Sequence, residues 1–203
     1  MDHRDWDVRY SGPDLIWGAG PNRFVVEEAS DLAPGRAIDL ATGEGRNAIW
    51  LAANGWKVSG VDFSAAGLAR AATLATERGV SVDWIRADLL GYQAEPAAFE
   101  LVLIAYLQLE RARLDAVLDM AGRAVAPGGT LVVIGHDLEN LERGVGGPQD
   151  PRVLYTPESV VAALPGLSVR IAERRLRPVP GARADEAERH AIDTVVVAGA
   201  SAV

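Results

Sequence analysis

Short apolar runs and helical segments alternate along this chain, and that alternation leaves few folds open. Runs at 36–40, 57–63, 80–87, 99–105 and 130–136 read as strands. Stretches 44–54, 65–78 and 109–125 read as helices, the last with apolar Leu114, Val117, Leu118 and Ala121 at helical spacing. Strand, loop and helix in repetition predict a mostly parallel sheet covered on both faces. The punctuation agrees. Asn54-Gly55 and Gly79 stop two helices, Ser64 is an N-cap, and Pro127-Gly128-Gly129 turns the chain into the fifth strand. Residues 137–155 break the rhythm, being long, rich in Gly and Pro, and without clear periodicity. A loop of this length in a compact domain is usually functional. Thr156 then caps a helix with Pro157 at its first position. Two last strands, near 168–179 and 190–198, flank the acidic turn 185–188 and read as an antiparallel hairpin at one sheet edge.

The chain has 203 residues, 49% apolar and 24% charged, enough for one domain with a sizeable core. No window holds eighteen uncharged apolar residues, so no membrane span is expected. The start, MDHRDWDVRY, lacks the apolar segment of a signal peptide. There is no cysteine, hence no disulfide, thiol nucleophile or Cys-based metal site. A cytoplasmic location is the expectation. His3 and His190 stand far from other ligating residues, and no metal site is expected. Net charge is −8, whereas a nucleic-acid binder usually carries a basic face. The one dense basic run, 170–177, alternates like a strand with one wetted face and is offset by residues 185–188. A small-molecule partner is therefore expected, not nucleic acid or membrane. Oligomeric state stays open.

The segment 38-IDLATGEGRNAIWL-51 is the first strand-to-helix turn, where such sheets bind ligands. Gly43 and Gly45 permit backbone conformations that other residues avoid. Two cofactors compete for this turn. Gly43-Glu44-Gly45-Arg46-Asn47-Ala48 satisfies a dinucleotide pattern, with Asp62 placed to hold a ribose. Asp39 argues the other way. A carboxylate at the strand's mouth repels a pyrophosphate but suits a ligand carrying an ammonium and a sulfonium.

At these residues the chain resembles class I S-adenosylmethionine-dependent methyltransferases. Asp39-Leu40-Ala41-Thr42-Gly43-Glu44-Gly45 is similar to their first motif, and Val61-Asp62-Phe63-Ser64 to their acidic second-strand end. Ala87-Asp88-Leu89 resembles the segment lining the adenine, and Pro127-Gly128-Gly129-Thr130 the turn before their fifth strand. More narrowly, 43-GEGRNAIWLA-52 with Trp6, Asp7, Arg9 and Tyr10 resembles bacterial small-molecule methyltransferases of the tellurite-resistance and thiopurine type. Ala41 departs from the pattern, replacing a glycine; a positive φ there would require a different loop.

The resemblance implies a Rossmann-like three-layer sandwich with a mostly parallel seven-stranded sheet. It implies S-adenosylmethionine as cofactor, held by Asp39, Ala41, Gly43, Gly45, Asp62, Phe63, Asp88, Leu89 and Ile104. Methyl transfer needs alignment and exclusion of water, and a base only where the acceptor must lose a proton. His136, ending the fifth strand, is the candidate base, with Asp137 as its possible partner, and Tyr106 is a candidate to orient the acceptor. Tyr10, Trp17, Asn22, Arg46, Asn47 and Tyr155 are candidates to bind the acceptor. Residues 1–30 are expected to form a lid, 36–136 the cofactor core, 137–155 a closing loop, and 156–203 a terminal helix and hairpin. Two rivals remain. An NAD-dependent oxidoreductase is disfavoured because Tyr106 is not followed by Lys four residues on. A non-catalytic cofactor-binding protein on the same fold is the other.

Overall fold

The computed structural model describes residues 3–179 and 190–202; the acidic turn at 185–188 lies outside them. A seven-stranded sheet is built from β1 (Arg36–Leu40), β2 (Lys57–Asp62), β3 (Asp83–Arg86), β4 (Phe99–Ala105), β5 (Val125–His136), β6 (Ser168–Pro178) and β7 (His190–Gly199). Its order is β3-β2-β1-β4-β5-β7-β6. The first five strands run parallel, β7 runs antiparallel to β5, and β6 to β7. This is the expected Rossmann-like sandwich with its antiparallel terminal hairpin.

The helices are α1 (His3–Tyr10), α2 (Arg23–Ala29), α3 (Arg46–Ala53), α4 (Ala65–Glu77), α5 (Arg111–Ala124), α6 (Asn140–Arg143) and α7 (Pro157–Ala162). Alternation along the strands sorts the core into two layers. Ile38, Leu40, Val102 and Ile104 pack with Leu114, Val117 and Leu118 of α5 on one face. Ala37, Leu101 and Leu103 pack with Phe24 of α2 and Ala48 and Leu51 of α3 on the other. Strands buried on both faces read as continuous apolar runs, which is why they were visible in the sequence.

Several boundaries differ from the sequence reading, each for a local reason. β3 starts at Asp83 because Val80 N–H bonds back to the Ala75 carbonyl (3.0 Å) and closes α4. α3 starts at Arg46, not 44, because Gly45 takes a left-handed conformation (φ 76°) as its N-cap. Pro127-Gly128-Gly129 does not precede β5 but forms an irregularity inside it, since Val125 already pairs with Phe99. The 137–155 loop contains α6 and a 3-10 turn at Pro151–Val153. Its ends are clasped by Leu138 N–H to the Tyr155 carbonyl (2.8 Å) and Tyr155 N–H to the His136 carbonyl (2.9 Å).

Three of the four arginines of the basic run on β6 are paired with carboxylates, and Arg170 donates to the Thr130 hydroxyl (2.7 Å). Arg174 pairs with Asp137 (3.0 Å), Arg175 with Glu28 (2.6 Å), and Arg177 with Asp193 (2.6 Å). No described helix is long and apolar enough to cross a membrane.

Candidate functional site

Strand order reverses between β1 and β4, so a crevice opens past their carboxyl ends. The β1–α3 loop lines it and is hooked to β2. Thr42 N–H bonds to the Val61 carbonyl (3.0 Å), and Gly43 N–H to Asp62 Oδ2 (2.8 Å). Asp62 Oδ1 accepts Ser64 N–H (2.9 Å). Ala41 does take a positive φ, 62°. An alanine in this left-handed region carries strain that the family's glycine would not. Burial pushes the Asp62 carboxyl up from its ordinary value, and the Ser64 and Gly43 N–H groups partly offset that.

A cavity of about 450 Å³ lies over this loop. Ala41, Gly43, Asp62, Phe63, Asp88 and Leu89, expected at the cofactor, line it. Three others do not. Asp39 is buried with its Oδ2 accepting the Thr42 hydroxyl (2.7 Å), and burial raises its carboxyl to about 7. It shapes the loop instead of facing a ligand, which removes the electrostatic argument drawn from it. Gly45 turns its Cα to the sheet side: a Cβ there would lie 2.6 Å from the Trp84 ring and 2.8 Å from Ala71 Cβ. Ile104 points into the core layer under the sheet, and its neighbour Ala105 lines the cavity.

A second, wider cavity of about 990 Å³ adjoins it, sharing Trp6, Trp17, Arg46, Tyr106 and Gln108. Asn22, His136, Arg177 and the loop residues Val145–Pro148 line it as well. Of the residues expected to bind an acceptor, Trp17 and Arg46 touch both cavities, Asn22 the second, and Tyr10 and Asn47 only the first. Tyr155 touches neither. It is buried in the core, its hydroxyl donating to the Leu107 carbonyl. The reason is local: Gly135 leaves the space its ring fills, a Cβ there falling 2.3 Å from Tyr155 Cε2. His3, within the expected lid, lines the first cavity as well.

The N-terminal segment is pinned over these cavities. Asp7 Oδ1 accepts the Ser64 hydroxyl (2.5 Å) and Ala66 N–H (3.1 Å). Arg70 donates to the carbonyls of Gly12 (2.8 Å) and Asp14 (2.9 Å) and to Glu44 Oε1 (2.7 Å). Glu44 Oε2 accepts Ile16 N–H (3.0 Å), and Arg46 donates to the Trp17 carbonyl (3.0 Å). Trp6 stacks on Tyr10 with ring centres 5.5 Å apart. The sequence reading missed Glu44 and Arg70. Their spacing of 26 residues gave no periodic signal, although Glu44 inside a glycine loop was a hint.

A polar network fills the rim by β4, β5 and β7. Tyr106, at φ 61°, donates its hydroxyl to Asp193 Oδ2 (2.8 Å) and accepts from Asn22 Nδ2 (2.9 Å) and Arg177 Nε (3.1 Å). Burial pushes its hydroxyl pKa well up, and the Asp193 charge adds to that. Asn22 also caps α2, its Oδ1 accepting Phe24 N–H (2.8 Å), and its own N–H donates to Asn47 Oδ1 (2.9 Å). His136 does not pair with Asp137, which binds Arg174 and Thr194. Its partner is Asp193, 3.2 Å from Nδ1. Arg46 has no carboxylate partner among the described residues, and burial lowers its pKa.

Comparison with known proteins enters at this point. Residues 37–129 match the model of a family described as a methyltransferase domain. A demethylmenaquinone methyltransferase of Thermus thermophilus is 39% identical over 125 residues, 61% of this chain. That match reaches only 55% of the relative's length. A structure concerned with conversion of a disulfide bond into a thioacetal group during echinomycin biosynthesis superposes with a TM-score of 0.77 at 20% identity, over 98% of this chain and 92% of its own. The N-methyltransferase NodS of Bradyrhizobium japonicum, solved with S-adenosyl-L-homocysteine, gives 0.70 at 19% identity, over 97% and 96%. At such identities the two structures share the fold alone.

Proposed function

We propose that this chain, whose residues 37–129 match a methyltransferase domain and whose sheet is Rossmann-like, transfers a methyl group from S-adenosylmethionine to a small-molecule acceptor. One observation carries the reading: two cavities meet at the carboxyl ends of β1 and β4, one over the Gly43–Asp62 loop and one beside His136.

The residues of the first cavity fit the cofactor. Each Asp62 oxygen accepts one backbone N–H and keeps a lone pair for a ribose hydroxyl. Gly43 and Ala41 would take the methionine part, and Phe63, Asp88 and Leu89 the adenosine. When bound, the cofactor supplies a methyl group on a sulfonium, open to in-line displacement. Trp6 and Trp17, which line this cavity with the Arg9 guanidinium over both rings, would help to keep water from the reacting centre.

The second cavity would take the acceptor, between the N-terminal segment and the 137–155 loop. Arg46, without a carboxylate partner among the described residues, adds positive charge at its mouth and favours an acceptor that is anionic or becomes so. The Thermus relative is named for demethylmenaquinone, so quinones and phenols belong in the acceptor panel beside thiols and chalcogen oxyanions. The test is calorimetry with S-adenosylmethionine, S-adenosylhomocysteine and NADH, followed by labelled methyl transfer across that panel. Binding of both S-adenosyl ligands with turnover is expected. Binding of NADH alone would make the chain an oxidoreductase, and tight S-adenosyl binding without any turnover a non-catalytic binder.

A further inference from the structure

His136 and Asp193 are directly opposed in the β5–β7 register. Their side chains meet with Nδ1 3.2 Å from Oδ1, a close contact without the alignment of a hydrogen bond, and both atoms are buried with no hydrogen-bond partner among the described residues. A bare Nδ1 lone pair this close to a carboxylate oxygen would be repulsive, so the contact favours a proton on Nδ1. The other charged and titratable groups around the ring act on Asp193. Arg177 from β6 donates to its Oδ2 (2.6 Å) and Tyr106 at the end of β4 donates to the same oxygen (2.8 Å). Burial alone would raise the Asp193 carboxyl, but the His136 and Arg177 contacts hold it below its usual range. Asp193 therefore stays ionised. Arg9, Arg23, Arg46 and Asp150 are the other charged residues that line the second cavity. The ring itself is gripped on both faces. Tyr106 lies with its ring centre 4.8 Å away, and Gly147 presses so closely that a Cβ there would fall 2.9 Å from Nδ1.

We propose that Asp193 is a positioning residue that locks His136 in the Nδ1–H tautomer, leaving Nε2 as a base toward the second cavity, and that the acceptor is accordingly a hydroxyl or thiol that must shed a proton. This rests on the methyl-transfer reading for its chemistry but not for its geometry. In the step, the acceptor's O–H or S–H bond breaks and its proton passes to Nε2. The acceptor oxygen or sulfur bonds the methyl carbon, and the electron pair of the old carbon–sulfur bond stays on sulfur. A carboxylate behind an imidazole selects its tautomer and steadies the imidazolium that forms.

The test is nitrogen-15 NMR of the imidazoles in the whole protein at neutral pH, with His136→Gln identifying the signal among three histidines. In the wild type, Nδ1 is expected to carry the proton and Nε2 to show the shift of a lone-pair nitrogen. In Asp193→Asn the amide can donate to Nδ1, and the pattern should invert. A wild-type His136 protonated at Nε2 overturns the proposal, and so does a folded Asp193→Asn protein whose tautomer is unchanged. If that variant does not fold, the wild-type spectrum alone decides. Cofactor titration reads the methyltransferase assignment separately, so either idea can fail without the other.

Discussion

Replacing Gly45 with alanine probes the β1–α3 loop more sharply than any substitution at a polar residue. The added methyl meets two obstacles. At φ 76° an L-residue is disfavoured by about 1–2 kcal/mol. The Cβ would also sit 2.6 Å from the Trp84 ring and 2.8 Å from Ala71 Cβ, and overpacking of this kind costs about 1–3 kcal/mol. The stiffer unfolded chain returns roughly 0.4–1 kcal/mol. The net loss is about 1–5 kcal/mol, which for a domain of this size lowers Tm by about 2–4 °C per kcal/mol. Ala41→Gly is the control. It relieves the same kind of φ strain without any close contact, and glycine's extra entropy of roughly 0.5–1 kcal/mol largely cancels the gain. Chemical denaturation of both variants, with matched m-values, reads the difference. A Gly45→Ala protein within about 0.5 kcal/mol of wild type, the margin of an ordinary surface change, would refute the packing of Trp84 against this loop.

Three further outcomes follow from the site. Asp62→Ala should weaken S-adenosylmethionine binding by about 1–3 kcal/mol in calorimetry, because a carboxylate fixed by two N–H groups is lost; unchanged affinity in a folded variant removes Asp62 from the cofactor site. Arg70→Ala leaves Glu44, 3% exposed, without its cation and should destabilise by on the order of 2 kcal/mol, somewhat below a fully buried pair because Arg70 is partly wetted. It should also open residues 12–16 to limited proteolysis, and equal resistance would show that the strap is held elsewhere. Asp39 holds its proton to about 7 when folded but releases it near about 4 when unfolded. The unfolded state thus loses the proton first, and stability should fall as pH rises from about 4 to 7, then level off. Asp39→Asn should flatten that segment of the stability curve relative to wild type, and a parallel curve would contradict the raised value.

The fold was legible because its signals are local. A strand buried on both faces must be apolar throughout, as Leu101–Ile104 is, and a helix must stop somewhere, as α4 does at Gly79. The residues around the first cavity were legible for a related reason: Gly43, Asp62 and Asp88 each sit at or just past a strand end, where strand direction alone delivers them. What the sequence concealed depends on facing. Asp39 and Ile104 lie near the same crevice, yet strand alternation sends one toward Thr42 and the other into the core. Tyr155 lay in a Gly-rich loop and read as a ligand-binding aromatic, but Gly135, twenty residues earlier, had already made room for its ring.

The pairing of His136 shows the same limit most clearly. Asp137 was the neighbour in sequence, but adjacent strand residues point to opposite faces, so a strand-end histidine cannot easily use the next residue. Its partner had to come from the strand alongside, and register alone decides which residue that is. The β5–β7 ladder sets Asp193 opposite His136 and Thr194 opposite Gly135. A slip of one residue would bring Thr194 to the imidazole and turn Asp193 to the far face. The acidic residue near the start of the last strand therefore has meaning only once the hairpin is registered. The chemistry at the rim of this sheet is thus a property of how its last strand is paired, and a substitution that shifted the β7 register would disconnect His136 from its carboxylate while leaving the Asp62 cavity in place.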